Sequence, residues 1–330
     1  MFIANIHLLR GLAVLMIVLF HVDSLFVWSN KEYLDVLKIF LRDSTAIFLF
    51  IAGYLFQFLS GQYNTKDYYL KKLKYVGLPY LIVSIPALVL FTFLQTKEGL
   101  PEAYAMYGPV EKIFMFLITG KHIEAFWFIP VMMFFYLLGP LLYRLDKDKK
   151  IYWLLPVFIV ISILVPRNDN SLIEMFFHFF SLYLLGMFMS RYRKTFDVKL
   201  QQNSVLILLT ILLIVISYFQ QVFYGDISIT VLQKMVFSVT VFALFYKLKE
   251  TSYLYKVLNA FATTSFGIFF LHSYIIVGLK MTFNKVFGAL PEGNVLLVVL
   301  TAAFVATSSM VLVFFIKKIF GKNSRLIIGS

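Results

Sequence analysis

The chain is a succession of long apolar runs, and that pattern leaves it few folds. Ten runs lie at residues 8–28, 37–59, 73–94, 125–143, 151–166, 172–190, 204–223, 230–247, 258–279 and 294–316. Each is of the order an α-helix needs to cross the hydrocarbon core of a bilayer, about 20 residues. Only 14% of the residues are charged and 61% are hydrophobic, whereas about a quarter of a soluble domain is charged. The sequence therefore predicts an all-α membrane protein, a bundle of about ten transmembrane helices. It reads as one transmembrane domain over residues 1–330, with no soluble domain appended.

A formal net charge of +13 resembles a nucleic-acid signal until it is sorted by loop. With the N-terminus in the cytoplasm, 20 of the 30 Lys and Arg residues fall on the inner side. Asp67, Asp146, Asp148, Asp197 and Glu250 are the only acids there, against twelve outside. This alternation follows the positive-inside rule and puts both termini in the cytoplasm. The partner of the basic excess is then membrane lipid, and no nucleic acid is needed. Cysteine is absent, which excludes disulfides, thiolate chemistry and Cys-based metal sites. The first run carries Arg10, His21 and Asp23 and lacks a small-residue cleavage site, so it reads as an uncleaved span rather than a signal peptide. The longest connection, residues 95–124, contains Pro101, Pro109, Gly99, Gly108 and Gly120. It reads as an outer loop with one short interfacial helix near Val110 to Leu117.

Ionisable residues inside such runs are costly and mark cavities, substrate paths or proton relays. Arg10 and His21 are eleven positions apart, so at about 100° per residue they share one helix face, about 16 Å apart along the axis. Arg10 lies near the inner boundary, where snorkelling to the headgroups is the plain alternative. His21 needs partners at its depth, and imidazole suits general-base work near neutral pH. Ser24 is one turn further on the same side, positioned to fix the imidazole tautomer, whereas Asp23 points elsewhere.

His272, in the ninth run, is a second candidate. Glu174 and His178 are four apart and suit an acid–imidazole pair. With no third ligand in an obvious motif they do not make a metal site, and no metal is expected. His7 and His122 read as solvated interfacial residues. Trp127, within Phe126-Trp127-Phe128, is either an interfacial belt residue or a stacking platform for an acceptor. Lys71, Lys72 and Lys74 report topology or bind a phosphate-bearing cytosolic ligand.

Taken in order, these segments resemble the integral-membrane acyltransferase 3 family, which O-acylates envelope glycans and other extracytoplasmic acceptors. The resemblance spans nearly the whole chain. It rests on Leu9-Arg10-Gly11-Leu12-Ala13 followed by His21, on Phe48-Leu49-Phe50-Ile51-Ala52-Gly53-Tyr54-Leu55, and on Trp127-Phe128-Ile129-Pro130 with Phe135-Tyr136 and Pro140. Ser265-Phe266-Gly267-Ile268 to His272 and the closing Leu326-Ile327-Ile328-Gly329 complete it. Three positions depart from the family pattern. Ala52 stands where Ser is usual, Tyr75 where a second basic residue often precedes Pro79, and Ala125 where a polar residue often precedes the tryptophan.

The resemblance implies a multi-pass protein of a bacterial-type cytoplasmic membrane that moves an acyl group, most simply acetyl, from cytosolic acyl-CoA to a glycan or glycolipid hydroxyl. It holds no permanent cofactor; acyl-CoA is the donor substrate. Arg10, with Lys72, would contact the donor phosphates, and His21 would act as general base or carry the acyl group itself. Trp127, His272, Glu174 and His178 are candidates for the acceptor side. The rival readings are a transporter or flippase of a lipid-linked glycan and a non-catalytic scaffold of a polysaccharide-synthesis complex. No inverted repeat is visible in support of a transporter.

Overall fold

The computed structural model describes residues 3–29, 32–223 and 228–330. Among them there is no strand, and the one extended pairing is an isolated bridge between Val27 and Glu292. In lipid every backbone N–H and C=O must be satisfied within its own segment, which makes apolar runs of this length helical. The main helices are α1 (Ala4–Val22), α2 (Glu32–Leu41), α3 (Ile47–Phe58), α4 (Thr65–Leu94), α5 (Pro109–Thr119) and α6 (Phe128–Leu137). They continue with α7 (Leu155–Leu164), α8 (Leu172–Arg191), α9 (Asn203–Val222), α10 (Thr230–Phe245), α11 (Tyr253–Phe287) and α12 (Val295–Phe320).

Seven helical stretches among the described residues are long and apolar enough to cross a membrane: α1, Leu37–Phe58, α4, α8, α9, α11 and α12 with the turns that follow it. An eighth arises if α5 and Glu124–Leu137, bent by 71° at the turn between them, cross together. The runs predicted at 151–166 and 230–247 form the shorter helices α7 and α10.

The short helix expected near Val110 to Leu117 within the segment 95–124 is α5, and it forms the first arm of that bent pair. His122 sits in the bend and is 1% exposed, not solvated. Its Nε2 is 2.7 Å from Ser84 Oγ on α4 and its Nδ1 is 3.0 Å from the Phe116 carbonyl oxygen on α5. The imidazole thus ties the bend to α4, and the two hydrogen bonds offset the cost of burying it.

Helix α1 runs through the middle of the bundle, against α11, α12, α10 and α3, and α3 packs along α8. Close backbone approach sets both main crossings. A Cβ at Gly53 would lie 2.0 Å from the Tyr183 carbonyl oxygen, and one at Gly186 would lie 2.1 Å from that of Phe50. On α1, a Cβ at Gly11 would lie 2.2 Å from the Leu258 carbonyl oxygen on α11. Small residues at such contacts let membrane helices gain dispersion energy where lipid offers no hydrophobic drive. The outward side is apolar; on α9, Ile207, Leu208, Ile211 and Ile214 are exposed. Two π-helical turns, Leu73–Gly77 and Leu90–Leu94, re-aim α4 on either side of Pro79 and Pro86.

Candidate active site

Because Arg10 and His21 share a face of α1, both turn inward, yet they open into different cavities. Arg10 lines a cavity of about 720 Å³ and His21 one of about 480 Å³.

The Arg10 cavity is cationic and aromatic. Arg10, Lys71, Lys72 and Arg325 line it, with Asp67 as the only carboxylate among the described residues on its wall. Arg10 donates from Nη2 to Ser265 Oγ on α11 at 3.1 Å. Lys72 holds its ammonium 4.1 Å from the ring centre of Tyr136, and the Arg325 guanidinium lies 4.1 Å from that of Tyr75. The Tyr68 hydroxyl, also on the wall, is buried without a hydrogen-bond partner. Cations held by ring faces and a hydroxyl, rather than by carboxylates, remain available to a polyanion.

The His21 cavity is charged but balanced. Among the described residues, four cations, Arg42, Lys97, Lys121 and Arg167, meet four acids, Asp43, Glu98, Glu124 and Asp169. Arg167 grips Asp169 through two hydrogen bonds, at 2.8 and 3.1 Å, and donates a further one to Asp43. Burial pushes the Lys97 ammonium down, and Glu124 partly opposes this. Such a wall offers donors and acceptors without a net field, which suits a polyhydroxylated ligand better than a polyanion.

His21 sits in the last turn of α1 and is 8% exposed. Its Nδ1 has no hydrogen-bond partner and lies 3.7 Å from Glu124 Oε2, within ion-pair reach. Its ring centre is 5.4 Å from that of His272. His272 is fully buried, and its Nδ1 lies 3.0 Å from the Ile268 carbonyl oxygen, which can only accept. That contact puts the proton on Nδ1 and leaves Nε2 as an acceptor, 3.3 Å from Ser273 Oγ. Ser24 does not fix the His21 tautomer as anticipated. Its hydroxyl donates at 2.7 Å to the His21 backbone carbonyl, where α1 ends. Asp23 turns away to pair with Lys38 at 2.9 Å.

The other candidates divide. Trp127 lines the His21 cavity, stacked on Phe179 at 5.6 Å with the Arg167 guanidinium 4.4 Å from its ring centre. Glu174 and His178 do not pair with each other. Glu174 accepts from Asn168 Nδ2 at 3.0 Å, and His178 Nδ1 is 2.7 Å from the Val165 carbonyl oxygen. Both ends of that pair shape the 165–171 turn, and so hold Arg167 at the cavity.

Sequence reading missed Glu124, Arg325 and Lys234. Glu124 is 103 residues from His21, and its one local signal was its place just before Phe126-Trp127. Lys234, on α10, is fully buried and donates to the Phe40 carbonyl at 2.6 Å and to Gln233 Oε1 at 2.9 Å. It thereby anchors the end of α2, beside Asp43, whose φ of 54° starts the turn into the cavity wall.

The family model for an acyltransferase domain matches residues 3–316. That range takes in both cavities apart from Arg325 and Gly329. The chain belongs to the acyltransferase 3 family. No curated protein and no solved structure matches the chain. Acyltransferase 3 membership and the run of apolar helices together make it a membrane acyltransferase.

Proposed function

We propose that this acyltransferase 3 protein moves an acyl group, most simply acetyl, from cytosolic acyl-CoA to a hydroxyl of an extracytoplasmic glycan or lipid-linked saccharide. The observation that carries the reading is the pair of cavities at two depths of one helix, cationic at Arg10 and charge-balanced at His21. The nucleotide phosphates would meet Arg10, Lys72 and Arg325, with the Tyr68 hydroxyl as a further donor. The arm carrying the thioester then has about 16 Å to cover to reach His21.

At His21, Glu124 would hold the proton on Nδ1 and leave Nε2 as the base. As the acceptor hydroxyl oxygen attacks the thioester carbonyl, its proton passes to Nε2, the C–S bond breaks, and a C–O ester bond forms. The imidazolium then protonates the departing thiolate, so free thiol and ester are the products. His272, with its Nε2 lone pair inward, would polarise or position His21, and Trp127 with Arg167 would frame the acceptor. In topology the reading adds α7, α10 and the bent pair to the seven long stretches, which makes ten crossings of a bacterial-type cytoplasmic membrane and both termini cytoplasmic. The chain works as a single transmembrane domain with no resident cofactor or metal.

Thiol release from acetyl-CoA by purified protein in nanodiscs, with an envelope glycolipid fraction as acceptor, tests the reading. The chain has no cysteine, so a thiol reagent sees only product. Acceptor-dependent release, lost in His21→Ala, is the expected result. No release from any acyl-CoA, together with movement of labelled glycolipid across the bilayer, would instead establish the flippase reading.

A further inference from the structure

The two cavities share no lining residue, but the same elements line or border both. Thr45 lines the His21 cavity, and Phe48, one turn later on α3, lines the Arg10 cavity. Trp127 and Phe128 are consecutive and face opposite cavities. On α11, Ser265 lines the Arg10 cavity and His272 faces His21, while Phe269 lies one turn from each. Each of these elements therefore passes from one cavity to the other at an aromatic residue. The rings touch in series, Phe48 to Phe128 at 6.1 Å between centres and Phe128 to Phe269 at 5.8 Å. Phe269 continues to His272 at 6.2 Å.

We infer that Phe48, Phe128 and Phe269 are a partition across the donor's path, and that Phe48 and Phe128 are the gate that passes a short acyl group and excludes a long one. The inference rests on the acyl-CoA reading above. Phe269 is fixed, 2% exposed and stacked on Phe126 and Phe266 at interplanar angles of 18° and 14°. Both Phe48 and Phe128 border the empty volume of the Arg10 cavity, Phe128 at 5% exposure and Phe48 only half-buried. The α3 backbone is locked against α8 at Gly53 and Gly186, so passage needs a turn of the Phe48 side chain and not a shift of the helix. A side-chain opening of that kind admits a thioester with only a methyl group ahead of it. A longer chain that extends beyond His21 meets Trp127, Phe20 or the charged wall, so it must lie back beside the donor's arm and compete with it for the opening between Phe48 and Phe128.

The test compares thiol release from acetyl-CoA and hexanoyl-CoA by one preparation of each protein, with the same envelope glycolipid fraction as acceptor. The ratio of the two rates cancels any difference in the fraction folded. Wild type should use hexanoyl-CoA at least about tenfold less well than acetyl-CoA, the usual scale for surplus methylenes in a closed pocket. Phe48→Ala and Phe128→Ala should each raise the hexanoyl-to-acetyl ratio about tenfold, and Phe48→Leu should raise it less. Phe48→Trp should lower it. Phe128 is buried and its truncation threatens folding; Phe48, half-buried, does not share that difficulty. A ratio unmoved in both Phe48→Ala and Phe48→Leu overturns the gate, as does equal use of both donors by wild type. Absence of release from every acyl-CoA by wild type overturns the donor reading itself, and the gate with it.

Discussion

Glu124→Gln preserves the side chain's shape and removes its charge, which isolates what the carboxylate does for His21. At 3.7 Å, a carboxylate and an imidazolium attract by about 4 kcal/mol at an effective dielectric near 20. The Glu124 side chain is 68% exposed, so solvent screens most of that, leaving about 1 kcal/mol, the upper scale of exposed pairs. At about 1.4 kcal/mol per tenfold in rate, kcat should fall about fivefold while the donor KM holds. The loss should shrink as salt rises, because the pair is open to ions. The assay is initial-rate thiol release over a range of acetyl-CoA concentrations, run as a double-mutant cycle with His21→Ala. If Glu124 acts through His21, Glu124→Gln costs nothing further in the His21→Ala background. An equal loss in both backgrounds would refute the reasoning, as would a rise in donor KM with kcat intact, because Glu124 would then serve a substrate directly.

Arg10 and His21 should fail differently. Arg10→Ala raises the KM for acyl-CoA, with partial recovery in Arg10→Lys because the planar fork is lost, whereas His21→Ala lowers kcat by about a hundredfold or more with little change in donor KM. Arg325→Gln should raise the donor KM several-fold without lowering kcat, seen in the same saturation curves. Gly53→Ala drives a methyl against the Tyr183 carbonyl oxygen and should cost at least about 1–3 kcal/mol, read as a fall of several degrees in thermal unfolding in detergent. A reporter fused after Ser330 should be active only in the cytoplasm; activity on the outer face would reverse the donor side.

Much of this protein could be read from order along the chain. The apolar runs predicted helices wherever the structure has long ones, because a hydrocarbon solvent leaves the backbone little else to do. The helical phase of Arg10 and His21 was legible for the same reason: within one helix, spacing is geometry. The failures occurred where a partner came from elsewhere. His122 appeared solvated because Ser84 is 38 residues away in sequence, and the Glu174–His178 spacing suggested a pair that Asn168 and the Val165 carbonyl pre-empt.

By itself, then, the sequence determined the solvent, the helical class and the shared face of Arg10 and His21. All of these follow from local periodicity and composition. Only the tertiary structure decided that this face opens into two cavities of different charge, that Glu124 and His272 converge on His21, and that aromatic rings lie between the two cavities. Those facts depend on close contacts between helices far apart in the chain, set at positions such as Gly11 and Gly53, where backbone meets backbone and no periodicity records the neighbour.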